Sequence, residues 1–192
     1  MDLKLGTNIF ESDNACWKLI QEEVNKSSLK IKKGKVNGKV KSDHNIRVSD
    51  VSFSENEKLA RSLFNEINSF NLKVSGWNFD ISGVERPQYT FYHKGGYYDW
   101  HQDTISSISS AYDPHLTRKI SITIFLNDPD DYEGGELDIE TEGPDKKIRY
   151  DTFKLPKRSI VIFPSSKWHR VRPITSGFRK SLVAWFIGPP FK

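Results

Sequence analysis

This sequence predicts a mainly β protein with N-terminal helices: a double-stranded β-helix, or jelly roll, of about eight antiparallel strands. Three observations carry that expectation. From about Pro87 onward the apolar residues fall into short β-rich runs. The segments between those runs are dense in Gly, Pro, Asp and Ser, as turns require. Upstream of Pro87 the apolar residues recur at helical spacing instead.

The first predicted element is a helix capped by Asp13, with Trp17, Ile20 and Val24 on one face. The second opens on a capping box of Ser54 and Glu57 and carries Leu59, Leu63, Phe64 and Ile67. Both helices are expected to cover a sheet. Between them, "KIKKGKVNGKVK" at residues 30–41 holds six lysines and two glycines. It reads as a solvated flexible loop, or more sharply as a basic flap that closes over an acidic partner or a peptide. The strand candidates then follow in order: "QYTFYH", "YYDWH", "KISITIFLN", "GELDIE", "IRYDTF", "RSIVIF", "WHRVR" and "KSLVAWFIG".

A chain of 192 residues suits one domain, with 1–86 as helical support and basic loop and 87–188 as the jelly-roll core. With 36% hydrophobic residues, 12 Phe, 7 Tyr and 5 Trp, there is enough apolar material for a packed interior, which excludes a disordered chain. The single cysteine, Cys16, cannot form an internal disulfide, and "MDLKLGTNIF" lacks the basic head and apolar run of a signal peptide. A cytoplasmic location is expected. No apolar run is long enough to span a membrane, so no membrane partner is expected. A net charge of +4 is mild for a nucleic-acid binder, and there is no Gly-rich phosphate loop. One cysteine also excludes cysteine-based zinc sites.

In "YYDWHQDTISS" a histidine and an aspartate stand two residues apart. Positions i and i+2 of a strand share a face, so His101 and Asp103 would aim together while Gln102 points away. Alone, the pair reads equally as two polar residues fallen close together. An iron held by two histidines and one carboxylate needs a third ligand from elsewhere in the chain. Of the five histidines, His44 lies by the lysine-rich segment, His115 in a Ser-rich stretch and His93 at a strand-to-turn junction. His169, in "FPSSKWHRV", starts a late strand that a jelly roll returns to the side of the first pair. Three residues at matching places in the expected sheet order predict a metal site. Arg179 begins the last strand. A guanidinium in a barrel mouth is costly unless it meets an anion, so Arg179 reads either as a surface salt bridge or as a grip on a carboxylate whose other end sits on the metal.

Taken together, these residues resemble the iron(II)- and 2-oxoglutarate-dependent dioxygenases, within them the prolyl 4-hydroxylase-like group that includes the PKHD-type hydroxylases. "YHKGGYYDWHQD" fits that group's Y-x-x-G-x-x-Y-x-x-H-x-D, carried by Tyr92, Gly95, Tyr98, His101 and Asp103. "ITIFLNDPDDYEGGELDIE" resembles its strand, acidic turn and Gly-Gly-Glu, and "KWHRVRPITSGFRKSLVAWF" its closing H-x-V-x-P with a downstream Arg and Trp. The match covers about Pro87 to Gly188.

The resemblance implies that His101, Asp103 and His169 hold Fe(II), that Arg179 pairs with the distal carboxylate of 2-oxoglutarate, and that Tyr92 hydrogen-bonds to the same co-substrate. It implies dioxygen as the second co-substrate and ascorbate as a candidate reductant. Tyr98 and Trp185 look like walls of the pocket, or equally core packing. Two departures stand out: some relatives carry a tyrosine where this chain has Phe125, and collagen-type relatives a lysine where Arg179 stands. The implied activity is hydroxylation of an unactivated C–H bond, with a peptidyl proline in a peptide or protein as the expected substrate. Residues 30–41 and 104–118 would shape access. A free amino acid or another small molecule is the nearest alternative substrate; from a different class, the alternative is a non-catalytic jelly-roll binding module. Arg172 and Arg179 do not have the spacing of the arginine pair in nucleic-acid-demethylating relatives, so no nucleic-acid partner is expected.

Overall fold

The computed structural model describes residues 7–25, 29–33, 46–104, 115–141, 147 and 149–191. His44, most of the lysine-rich segment and residues 105–114 of the second loop lie outside the described residues. In chain order the elements are β1 (Asn8–Glu11), α1 (Asn14–Asn25), β2 (Lys32–Lys33), β3 (Arg47–Val48), β4 (Asp50–Phe53), α2 (Glu57–Lys73), β5 (Gly83–Val84), β6 (Gln88–Tyr92), β7 (Tyr97–His101) and β8 (Thr117–Phe125). They continue, after a short 3-10 turn, with β9 (Tyr132–Gly134), β10 (Leu137–Glu140), β11 (Tyr150–Phe153), β12 (Ser159–Pro164), β13 (His169–Val171), β14 (Ile174–Gly177) and β15 (Arg179–Gly188).

All eight strands expected after Pro87 form, and they divide four and four. The larger sheet runs β1-β12-β8-β15-β6-β4-β2, with β5 joined to β15, and the second runs β11-β10-β13-β7-β3; β14 pairs with β9. The expected strands β12, β8, β15 and β6 are contiguous in the first sheet, and β11, β10, β13 and β7 in the second. Neighbours pair antiparallel, as the two halves of a jelly roll do. The short strands β1 to β5 extend the sheets without a sequence signal, because runs of two to four residues are too short to show alternation.

Alternation along the long strands separates two cores. On β8, Ile120, Ile122 and Ile124 point one way and pack with Ile160, Ile162, Leu182 and Phe186 against Cys16, Ile20, Leu59, Leu63 and Ile67 of the helices. Each such side chain, once fully buried, contributes about 1.5–3 kcal/mol. This apolar side is what the helices cover, as expected. The opposite side faces the second sheet, where Phe125, Val161 and Phe163 meet Leu137, Ile139 and Val171.

Helix α1 starts as the sequence predicts: the Cys16 amide donates to Asp13 Oδ1 at 2.7 Å. Helix α2 does not. Its cap is Asn56, whose Oδ1 accepts from the Lys58 and Leu59 amides at 3.1 and 3.2 Å. The Ser54 hydroxyl accepts from the Asn56 amide and lies 2.7 and 2.8 Å from the two oxygens of Glu23, which Tyr89 also reaches. Asn and Ser cap about equally well, so the residue nearer the first turn took the cap and Ser54 ties α2 to α1. Among the described residues, no helix is long and apolar enough to cross a membrane.

Candidate active site

Strands β7 and β13 lie side by side, with His101 opposite His169 in register. His101 is the last residue of β7, and Asp103 lies beyond it in a bend rather than in the strand. Strand alternation is therefore not what aims Asp103. Its amide and that of Thr104 both donate to the Ser165 carbonyl at 3.0 Å, and this tether turns the carboxylate inward. Asp103 and His169 are buried and His101 is partly so.

The three side chains converge. His169 Nε2 is 3.4 Å from Asp103 Oδ2, His101 Nε2 is 3.8 Å from Oδ1, and one donor atom from each residue lies within 4.8 Å of the others. Each imidazole donates its Nδ1–H to a carbonyl two residues back, that of Asp99 at 2.8 Å and that of Lys167 at 3.0 Å. A carbonyl can only accept, so each Nδ1 carries its hydrogen and Nε2 is the atom that the neutral ring would offer to a metal. The two Nε2 atoms and the carboxylate thus face one another across a small space. Two histidines and one carboxylate so placed are a donor set that would suit Fe(II).

The titration of His101 and Asp103 agrees with that role. Burial, then the neighbouring His169, pushes His101 down to about 3, which keeps it in the neutral form that ligates metal. Burial pushes the Asp103 carboxyl up, but His169, His101, Arg118 and the Ser121 hydroxyl together outweigh it and hold the group below the usual range. Ser121 donates to Asp103 Oδ2 at 2.7 Å and lies 2.8 Å from the Ser165 hydroxyl. A hydrogen bond of this kind orients a ligating carboxylate, so Ser121→Ala is expected to weaken metal binding about 10- to 100-fold. Equilibrium dialysis against Fe(II) under nitrogen checks this; an unchanged dissociation constant would leave Ser121 a packing residue.

Arg179 opens β15 opposite Tyr92 on β6. Only 1% of it is exposed, and no carboxylate among the described residues pairs with it, which overturns the surface salt-bridge reading. Its Nη1 donates to Ser181 at 3.0 Å, while Nε and Nη2 have no partner. Ser181 follows Arg179 on the inner face of β15, and further along that face Trp185 pairs with Ser121, which holds Asp103. Tyr92 and Phe125 present their rings 5.4 and 5.3 Å from it. Between the two ends, the inner face carries the small polar side chains Thr90, Thr123 and Ser181, all buried. A buried cation with free donors beside a small polar lining fits an acid bound between Arg179 and a metal.

Tyr98 stacks on His101, ring centroids 3.5 Å apart, and Arg47 covers its other face at 4.7 Å. Trp185 is buried beneath Arg118 at 3.9 Å, and its indole N–H has no partner. Arg118 is itself held by Glu85 through two bonds of 2.7 and 2.6 Å. The structure thus brings together His101, Asp103 and His169, sets Arg179 against Tyr92, and places Tyr98 and Trp185 beside them. His93 and His115 are exposed and outside the cluster. Sequence reasoning missed Ser121, Ser165, Arg47 and Arg118. Ser121 alone had a signal, the inward phase of "KISITIF".

The fold and a buried two-histidine, one-carboxylate centre define a metal-dependent oxygenase class. The chain belongs to the 2OG-Fe(II) oxygenase superfamily, whose pattern matches residues 87–187, and membership brings Fe(II), 2-oxoglutarate and dioxygen with it. It is 40% identical over 92 residues to a PKHD-type hydroxylase of Hyphomonas neptunium, a match covering 48% of this chain and 38% of that protein. A PKHD-type hydroxylase of Teredinibacter turnerae is 38% identical over 99 residues, 52% of this chain and 41% of that one. The chain thus spans about two fifths of the length of these curated relatives. In fold it resembles a Pseudomonas putida prolyl-4-hydroxylase, with TM-score 0.67 at 16% identity over 94% of this chain and 91% of that one. It also resembles a Trichoplax adhaerens prolyl hydroxylase solved with a hypoxia inducible factor peptide fragment, with TM-score 0.70 at 18% identity over 95% and 84%.

Proposed function

We propose that this chain is an Fe(II)- and 2-oxoglutarate-dependent hydroxylase of an unactivated C–H bond, acting on proline in a peptide. His101, Asp103 and His169 hold the metal, and Arg179 with Tyr92 holds the co-substrate. The observation that carries this reading is the buried Arg179, whose Nε and Nη2 have no acceptor while its Nη1 bonds Ser181 on the inner face of β15. When bound, Fe(II) supplies the dioxygen activation by which 2-oxoglutarate goes to succinate and CO2 and one oxygen atom enters the substrate C–H.

The protein's own groups bind, orient and exclude. Asp103 offsets part of the metal's charge, Ser121 fixes its carboxylate, and the Asp99 and Lys167 carbonyls fix the two rings. Arg179 sets the co-substrate's direction, so that its oxo-acid end meets the metal. Phe163, against His169 at 4.8 Å, and Trp185 keep water from the centre. A peptidyl substrate is supported by the prolyl hydroxylases of the same fold, one of them solved with a peptide fragment.

The test is succinate formation by purified protein with Fe(II), 2-oxoglutarate and dioxygen, with and without proline-containing peptides, followed by mass analysis. Peptide-stimulated succinate with one oxygen added at proline is the expected outcome. Succinate without peptide oxidation would move the substrate to small molecules, and no succinate would favour a non-catalytic binding module.

A further inference from the structure

Resting on the co-substrate reading above, we propose that the Tyr132 hydroxyl is a second donor to the far carboxylate of 2-oxoglutarate, so that β9 supplies a binding residue beside Arg179. Tyr132 is 3% exposed, its ring lies in the inner core, and its hydroxyl has no hydrogen-bond partner. A buried phenol O–H usually finds a partner, and leaving one unmade costs about 1–3 kcal/mol.

The hydroxyl stands beside the other orphaned donors. Burial pushes the Tyr132 phenol up, while the adjacent Arg179 guanidinium acts against that rise by its charge and by approaching the phenol oxygen as a hydrogen-bond donor, which leaves the phenol O–H itself free to donate. Both side chains pass over Gly135: a Cβ built there would stand 3.1 Å from Arg179 Cδ and 3.2 Å from Tyr132 Cδ2. With φ of 67° that position already favours glycine, and the missing side chain leaves room for the pair. Lys154 anchors the strand by donating to the Tyr132 carbonyl at 2.8 Å and lies over the ring at 4.8 Å.

The count of groups identifies the ligand. Arg179 Nε and Nη2 and the Tyr132 hydroxyl are three donors that give their hydrogens to no acceptor, and both side chains meet above Gly135. One carboxylate offers two oxygens with about four lone-pair sites and takes all three. Phe125, at the adjoining inner position of β8, brings a ring and no hydroxyl. The pair therefore selects a 2-oxo acid with a second carboxylate over one ending in a methyl group.

The experiment is calorimetric titration of the Fe(II)-loaded protein under nitrogen with 2-oxoglutarate and with 2-oxopentanoate, for the native protein and Tyr132→Phe. The variant is expected to bind 2-oxoglutarate about tenfold more weakly, as for loss of one hydrogen bond to a charged group, and 2-oxopentanoate unchanged. Its thermal midpoint without ligand should change little, since the deleted hydroxyl donates to no acceptor in the ligand-free protein. Equal 2-oxoglutarate affinity, or an equal loss for both acids, would overturn the role of Tyr132. Failure of the native protein to bind 2-oxoglutarate would instead overturn the co-substrate reading, and this proposal with it.

Discussion

Asp103→Ala is expected to abolish Fe(II) binding, lowering affinity by about a hundredfold or more, and with it succinate formation, while the protein stays folded. Asp103 is the one anionic member of the cluster. Without it two neutral imidazoles remain, and neither offsets the charge of a divalent ion in a buried site. The fold should survive because the bend is tied by main-chain bonds from Asp103 and Thr104 to Ser165, and Ser121 keeps its Ser165 partner. Asp103→Asn sharpens the comparison, since an amide keeps an acceptor for Ser121 and loses only the charge. Metal titration under nitrogen beside far-ultraviolet circular dichroism reads both quantities. Undiminished Fe(II) affinity in either variant would remove Asp103 from the site, and loss of the folded signal would make it a structural residue.

What the sequence disclosed and what it hid follow from the range of the interactions. Strands β6 to β8, β10 to β13 and β15 were legible because each spans several residues of β-rich pattern between turn residues. Their pairing was legible to the extent that His169 could be set beside His101, which the register bears out. The mechanism that aims Asp103 was not, because the tether runs to Ser165 on a distant turn and leaves no local pattern. Ser54 and Asn56 show the limit at closer range. Both are good caps two residues apart; Asn56, nearer the first turn, took the cap, and Ser54 engages Glu23 of another helix, a contact with no local pattern. Tyr132 sat in a segment dominated by acidic and glycine residues, and only the folded chain places its hydroxyl by Arg179.

The same strands serve two purposes at once. On β8 the isoleucines at 120, 122 and 124 pack under the helices, while Ser121 and Thr123 face the site, so a polar inner surface is built at no cost to the main core. Relocating function onto one face leaves the other free to carry stability. Substitutions in the inner row are accordingly expected to alter ligand binding more than folding.

Arg179→Met shows that separation most strongly. A buried guanidinium with two unpartnered donors and no carboxylate partner among the described residues is a cost in the ligand-free protein. Methionine fills similar volume beside Tyr92 and Phe125 without a charge to desolvate. Replacing a buried charge in this way is often neutral or stabilising by about 1–4 kcal/mol, so the thermal midpoint without ligand should hold or rise by several degrees. The concentration of 2-oxoglutarate for half-saturation should rise by about a hundredfold, since a bidentate charge-assisted contact is lost. Added 2-oxoglutarate should then raise the melting temperature of the native protein and not of the variant, because only a ligand that binds the folded state stabilises it. A variant that melts lower yet keeps its 2-oxoglutarate requirement would make Arg179 a structural cation. The opposite signs of the two changes are what distinguish a binding group held ready from one that holds the fold together.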